Sequence, residues 1–398
     1  TATTTSSAVT LSDTTVAASA VNTLDDSVGV ITLQNNATIS SSSLSAVNTM
    51  LDSVTATTTS SAVTLSDTTV AAGALATLTS QVGTLALTNN TSAIAITNAA
   101  AAADINTLAA ATTGALTATV AETAVATIIA MNHVNGDDSI TAAIADTTIT
   151  ASDLATLISK VDVLTAVDNT AAMSIGSGAS VSDINVVNAL TTGVTSATLV
   201  ADTLSNLGSL ADKTGATDNA YTVTVTDTAD STLTAANLST LGGKTSGAVT
   251  VTNTHTISGS IDNLTAALIT DDTKVLTTST ANTITVTDAI ASVSEINAIN
   301  TLTTGVISAT LAADTLSNLG SLADKTGDTD NAYTITVTDT ANSTLTAANL
   351  FALGGKTSGA VTVTNDHIIT GTASQLTAAL ITDDTKVLNN GGDTITVS

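Results

Sequence analysis

The chain repeats itself at a fixed distance, and that constrains its fold more than any single motif. Ala201-Asp-Thr-Leu-Ser-Asn-Leu-Gly-Ser-Leu-Ala-Asp-Lys-Thr-Gly215 recurs unchanged at Ala313 to Gly327, and Leu264 to Leu276 recurs at Leu376 to Leu388, each displaced by 112 residues (201 to 313, 264 to 376). A separate duplication returns Thr1 to Ala18 at Thr55 to Ala72. A repeat this regular implies a stack of similar units, each burying its apolar face against its neighbours.

The unit is visible in Thr222-Val-Thr-Val-Thr-Asp-Thr228 and the Leu238-Ser-Thr-Leu241 that follows it. Val alternates with Thr at the period of a half-buried strand, and the two Leu three apart follow the period of a helix. Strands of this type are expected at Ala8 to Ser12, Ala62 to Ser66, Ala93 to Thr97, Val194 to Leu199, Thr222 to Thr226, Ala248 to Thr252, Thr283 to Thr287, Thr334 to Thr338 and Ala360 to Thr364. Helix starts are marked by a hydroxyl three residues before an acid or amide, as in Ser180-Val-Ser-Asp183, Ser292-Val-Ser-Glu295, Thr346-Ala-Ala-Asn349 and Thr372-Ala-Ser-Gln375. Ser292 with Glu295, and Thr372 with Gln375, have the form of capping boxes. Gly242-Gly243 and Gly354-Gly355 are expected to close helices.

Helix anchors running from Val21 to Leu376 predict an α/β repeat solenoid of about fourteen coils of roughly 27 residues, each a Val/Thr strand plus a short capped helix. An all-β solenoid is the alternative. The longer coils leave room for a second short strand and the 20-residue ones do not, as between Ile184 and Leu204. Three segments follow: N-terminal coils at 1–86, an irregular stretch at 87–192, and a C-terminal part at 193–398 that carries the 112-residue duplication.

Composition narrows what such a stack can do. With no Pro, Cys or Trp, two Tyr and one Phe, the interior must be thin and regular enough for Val, Ile, Leu and Ala to fill. Seven basic residues, all Lys, against 33 acids give a net charge of −26, which excludes nucleic acid as a partner and favours divalent cations. No run approaches the length of a membrane-spanning segment, so membrane insertion is not expected. Without Cys there is neither a disulfide nor a thiol nucleophile.

The units Thr283-Ile-Thr-Val-Thr-Asp288 with Val293-Ser-Glu-Ile-Asn-Ala-Ile299, and Tyr333 to Thr340 with Leu345-Thr-Ala-Ala-Asn-Leu350, resemble repeats of very large bacterial secreted surface proteins, cyanobacterial ones among them. The Thr, Ala and Asp richness also resembles type I-secreted S-layer proteins and repetitive adhesins. The resemblance implies an extracellular or cell-surface structural protein. The Gly-Gly-x-Gly-x-Asp nonapeptide of calcium-roll proteins is missing, so that fold is not implied.

Two candidate sites emerge. Asp324, Asp328, Asp330 and Asn331 group oxygen ligands in a Gly-containing turn suited to a hard cation, which makes calcium the one ion to consider; no other cofactor is called for. The sister turn keeps Asp212, Asp218 and Asn219 but has Ala216 in place of Asp328, and Asp271-Asp272 and Asp383-Asp384 are weaker versions. The second candidate is a binding face of outward threonines, Thr222, Thr224, Thr226, Thr283, Thr285, Thr287, Thr334, Thr336 and Thr338, provided their coils stack in register. His133, His255 and His367 are the only histidines, and the last two occupy one repeat position seen twice. Phosphate loops, zinc spacings and metalloprotease motifs are missing, so an enzyme is not expected. The function predicted is self-assembly into a filament, stalk or surface layer through stacked ends and hydroxyl-rich faces, with other copies of the chain and cell-surface polysaccharide as partners. The alternative is an adhesin or ice-binding surface protein that uses the Thr ladders.

Overall fold

The computed structural model describes residues 7–33, 37–54, 62–132, 136–212, 218–324, 330–382 and 387–398. Among them are fourteen α-helices and twenty-six strands, so the chain is α/β, and the all-β alternative does not hold. The residues form two compact units, Thr1–Gly176 with Val186–Gly193, and Ser177–Asn185 with Val194–Ser398.

Each repeat is built as the alternation of its residues requires. In Ala220–Val225, Tyr221, Val223 and Val225 are buried while Thr222 and Thr224 stand on the opposite side. The short strand Thr232–Thr234 then runs directly into the helix Ala235–Gly242, where Ala235, Leu238 and Leu241 are buried. Thr234 ends that strand and also caps the helix, its side chain accepting from the Asn237 N–H. Both capping boxes form, at Ser292 with Glu295 and at Thr372 with Gln375. Hydrogen bonds from Ser292 to the Glu295 carboxylate hold its pKa below the ordinary glutamate value.

Every described strand pairing is parallel, and each joins a strand to its counterpart one repeat away. In the second unit, Thr195–Leu199, Ala220–Val225, Val249–Val251 and Leu276–Thr277 lie side by side in that order. A second sheet runs Thr232–Thr234, Thr256–Gly259, Thr283–Val286, Ile307–Thr310, Ala332–Val337, Val361–Val363, and a third runs Thr344–Thr346, Ile368–Gly371, Thr394–Val397. The register stacks like on like: Leu233 faces Ile257, which faces Ile284, which faces Ile307. Each such residue, removed fully from water, contributes roughly 1.5–3 kcal/mol. The first unit follows the same plan, with sheets Thr15–Ala17, Thr38–Ser42, Ala62–Leu65, Thr84–Leu87 and Thr69–Ala71, Ile94–Ala100, Leu116–Val120, Ser139–Ile144, Val163–Ala166.

All nine expected strands are present within a few residues of their expected ends. The second short strand also appears where room was expected. Between Leu204 and Leu238 lie two strands, Ala220–Val225 and Thr232–Thr234, whereas between Ile296 and Leu316 there is one, Ile307–Thr310.

Both Gly pairs close their helices as expected, with Gly243 and Gly355 as the C-caps, but by a different geometry. Gly243 and Gly355 at the helix ends have φ of −69° and −71°, in the right-handed region, so no left-handed turn calls for glycine there. At Gly242 the reason is close approach: a Cβ would lie 2.0 Å from the Thr273 carbonyl oxygen.

A recurring clasp ties one repeat to the next. At Thr112, Thr191, Thr245, Thr303 and Thr357, a buried Thr stands two residues before a Gly and its hydroxyl accepts from that Gly N–H at 2.8–2.9 Å. The hydroxyl donates back to carbonyls of the preceding repeat, as Thr357 does toward Asn331 (3.0 Å) and Tyr333 (2.9 Å), and Thr245 toward Asn219 (3.1 Å) and Tyr221 (2.9 Å). Tyr333 N–H in turn donates to Thr357 Oγ1 at 2.7 Å. The Gly is required because the earlier strand passes so close: at Gly359 a Cβ would meet the Tyr333 carbonyl oxygen at 2.1 Å, and at Gly247 the Tyr221 oxygen at 2.1 Å.

Tyr333 itself is an imperfect fit. Its ring is 1% exposed, and its hydroxyl finds no partner among the described residues. Burial pushes the phenol well above its ordinary value of about 10. Below that value both folded and unfolded chains keep the proton. Above it only the unfolded chain ionises readily, so stability falls as pH rises past 10. Tyr333→Phe is therefore expected to leave stability at pH 7 unchanged or raise it by about 1 kcal/mol, and to move alkaline unfolding, followed by circular dichroism, to higher pH. A loss of stability at pH 7 would show that the hydroxyl has a partner.

Candidate functional site

The acids, which dominate the charge, serve the helices in a way local sequence did not reveal. A carboxylate from the following repeat accepts from the first N–H of a helix: Leu44 to Asp67 (2.6 Å), Ala102 to Glu122 (2.9 Å), Val125 to Asp146 (2.6 Å), Leu204 to Asp227 (2.7 Å), Ile261 to Asp288 (2.5 Å) and Leu316 to Asp339 (2.7 Å). Each acid stands just past a strand, so the strand pairing that stacks the repeats also delivers the charge to the helix N-terminus. There it satisfies an orphan donor and meets the positive end of the helix dipole.

Lysines do the converse. Lys160 Nζ donates to the Met131 carbonyl; Lys244 Nζ donates to Gly208 (3.2 Å) and Leu210, and Lys356 Nζ to Gly320 (3.3 Å) and Leu322. The carbonyls lie just beyond the one-turn helices Val125–Ile128, Leu204–Leu207 and Leu316–Leu319, where a cation is favoured. Removing one carboxylate tests this coupling. Asp339→Ala is expected to lower stability by about 1–2 kcal/mol, read as a lower urea midpoint, with Asp339→Asn losing less. No change in either variant would contradict the capping role.

The acidic turn is only partly in view, because Asp328 lies outside the described residues. Asp324 is directed at Lys356, 3.3 Å away, while its backbone carbonyl accepts from Asn300 Nδ2 at 2.9 Å. Asp330 is exposed. Asn331 is turned inward: it is 1% exposed, its Oδ1 accepts from the Ile307 N–H at 2.8 Å, and its Nδ2 donates to Asn300 Oδ1 at 3.3 Å. Its repeat counterpart Asn219 is likewise buried and accepts from the Thr195 N–H at 3.0 Å. Of the four candidate ligands, Asp324 and Asp330 are thus the described ones with carboxylates at the surface, and Asp324 already has a cationic neighbour. Of the weaker candidates, Asp271 pairs with Lys274 at 2.5 Å, which holds its pKa below the ordinary carboxylate value, and Asp383-Asp384 lie outside the described residues. Among the described residues no three histidine or carboxylate groups stand close enough together to hold a metal ion.

The nine threonines do not form one grid. Thr222 and Thr224 belong to the sheet of Ala220–Val225, where they face Thr198 and Thr250. Thr283 and Thr285 belong to the sheet that begins at Thr232–Thr234, facing Thr256 and Ser258 on one side; on the other side Thr285 faces Ser308. Thr334 and Thr336 lie in that same sheet but two strands on, facing Thr310 and Thr362, and Ala332 stands where the row of Thr285 and Ser308 would continue. Thr226, Thr287 and Thr338 fall just past their strands and are exposed.

What the register does assemble is a different set. Thr232, Thr256 and Thr283 form one row, and Thr234, Ser258, Thr285 and Ser308 the next. Thr234 caps its helix, whereas the hydroxyls of Thr256, Ser258, Thr283, Thr285 and Ser308 make no hydrogen bond within the described residues. Five of these seven escaped the sequence reading, because Thr232–Thr234, Thr256–Gly259 and Ile307–Thr310 are short and carry little Val/Thr alternation.

His255 and His367 are 1% and 2% exposed. Their Nε2 atoms lie 2.8 and 3.0 Å from the carbonyls of Thr252 and Thr364. A carbonyl only accepts, so Nε2 carries the proton, and Nδ1 accepts from Ser231 (3.2 Å) or Ser343 (3.1 Å). Both ring nitrogens are engaged inside the fold at a turn between two strands. His133 lies outside the described residues, and no described helix is long and apolar enough to cross a membrane. Comparison with protein-family models, curated proteins and solved structures finds no match to this chain.

Proposed function

We propose that the chain is an extracellular structural repeat protein, an α/β solenoid of about fourteen coils of roughly 27 residues, that self-assembles into a filament, stalk or surface layer. The observation that carries this reading is that one repeat after another is completed by its successor: six helix starts, three one-turn helix ends and five strand clasps are made this way. The following repeat supplies the carboxylate at a helix start, the Lys at the end of a one-turn helix, and the Thr that clasps a strand, as Asp339, Lys356 and Thr357 do. Units joined this way add by one set of contacts, which suits a polymer better than a catalyst. Cell-surface polysaccharide is the proposed external partner, and calcium the proposed accessory ion, with the surface carboxylates of Asp324 and Asp330 as the ligands left to it.

Sedimentation velocity of the full chain, over a wide concentration range and with and without calcium, tests the reading. Growth of large species with concentration is expected. A single monomeric boundary under every condition would overturn it.

A further inference from the structure

We propose that Asn89 is a glycosylation site, its side-chain nitrogen carrying a sugar taken from a glycosyl diphosphate donor; the inference rests on the extracellular reading above and adds a covalent sugar to it. Transfer to asparagine takes Asn-x-Ser/Thr, with x other than Pro, in an accessible segment. The chain has six such triplets, starting at Asn36, Asn89, Asn90, Asn237, Asn263 and Asn342, and Asn36 lies outside the described residues. In a chain this rich in Asn and Thr the triplet alone decides nothing, and the surroundings of each must separate them.

Four of the five described triplets are unsuited. Asn237 and Asn263 lie inside the helices Ala235–Gly242 and Ile261–Leu268, and the residue that follows each, Leu238 or Leu264, is 0% exposed. In Asn342-Ser-Thr344 the serine hydroxyl is engaged with His367, and Thr344 is paired in a strand with Ile368. Asn90-Thr-Ser92 ends where the next repeat crosses it: a Cβ on Gly114 would lie 2.3 Å from the Ser92 carbonyl oxygen.

Asn89 is different. Thr88, Asn89, Asn90 and Thr91 are all exposed, in the turn between Thr84–Leu87 and Ile94–Ala100. The Thr91 hydroxyl donates to Asn89 Oδ1 at 2.8 Å, and the Thr91 N–H donates to it at 3.3 Å. Both bonds polarise the amide, which makes a proton on Nδ2 easier to remove, and Nδ2 itself makes no hydrogen bond within the described residues. A second turn shows what this geometry requires. There Asp168 Oδ1 accepts from the Thr170 hydroxyl at 2.7 Å and from its N–H at 2.9 Å. An acceptor oxygen is therefore enough for the turn, and the nitrogen at position 89 is left over for chemistry. In the transfer Nδ2 attacks the anomeric carbon of the donor. A C–N bond forms as the anomeric C–O bond breaks, the diphosphate leaves with the bonding pair, and the Nδ2 proton passes to a base of the transferase.

The test is peptide mapping by mass spectrometry of the full chain recovered from the cells that make it, with medium, cell surface and lysate taken separately and circular dichroism to confirm folding. A sugar increment at Asn89 is expected, one sugar in size if the donor is a nucleotide diphosphate and an oligosaccharide block if it is a lipid diphosphate. Asn89→Asp keeps the acceptor oxygen, as at Asp168, and is expected to abolish the increment without loss of fold. Thr91→Val is expected to remove most of it, and Asn342→Gln to leave it unchanged. A chain outside the cell with a bare Asn89, or an increment that survives Asn89→Asp, overturns the site and leaves the extracellular reading standing. A chain found only in the lysate overturns that reading, and a bare Asn89 there overturns the site as well.

Discussion

Gly359→Ala is expected to destabilise the chain by several kcal/mol, more than truncating many core residues. The added methyl would lie 2.1 Å from the Tyr333 carbonyl oxygen, well inside contact distance, and the obstacle is backbone that cannot rotate away. Relief requires moving Val361–Val363 off Ala332–Val337, which breaks the register of Ile335 with Val361 and Val337 with Val363. Both pairs are buried, so displacement costs packing as well as hydrogen bonds. A urea titration followed by circular dichroism should show a clearly lower midpoint. Gly73→Ala provides the comparison: nothing lies within 4 Å of a Cβ there, and the site is helical, so a gain of a few tenths of a kcal/mol up to about 1 is expected. Equal effects at the two sites would show that close approach is not why Gly359 is glycine.

Thr357→Val is the second large effect. The substitution keeps the volume and removes one hydroxyl, 3% exposed as a residue, that serves four backbone groups: it accepts from the Gly359 and Tyr333 N–H groups and faces the carbonyls of Asn331 and Tyr333. Each donor left unpaired in the interior costs about 1–3 kcal/mol, so a loss of about 3 kcal/mol is expected. Thr357→Ser retains the hydroxyl and should recover most of it. The same pair of substitutions at Thr245 should behave alike, since its hydroxyl meets the four equivalent groups, the Tyr221 and Gly247 N–H and the Asn219 and Tyr221 carbonyls. A Val variant as stable as wild type would reduce the clasp to a coincidence of geometry.

The local plan of the chain was readable from residue order, and the partners across repeats were not. Val223 and Val225 show their strand by alternation, Leu238 and Leu241 show their helix, and Ser292 with Glu295 shows its cap, because each signal lies within a few residues. Asp227 looks like a turn residue after a strand; its partner, the Leu204 N–H, is 23 residues earlier. Thr357-Ser-Gly359 is visible as a recurring Thr-x-Gly, but the carbonyls it clasps lie 24 and 26 residues earlier. Which threonines become neighbours was hidden for a related reason. Which outward hydroxyls become neighbours depends on which strands pair, and the single strand between Ile296 and Leu316 places Ile307–Thr310 between Thr283–Val286 and Ala332–Val337. Asn331, counted as a metal ligand from its place among acids, is instead a buried bridge to Ile307 and Asn300, a role set by the repeat before it.

Carboxylates at helix starts, lysines at helix ends and threonines across strands join one repeat to another, and the proposed structural role rests on them. Electron microscopy of the full, unmodified chain at high concentration measures the consequence most directly. Filaments or sheets whose repeat is set by the stacked strands are expected; a field of isolated particles at every concentration, with and without calcium, would contradict the proposed assembly.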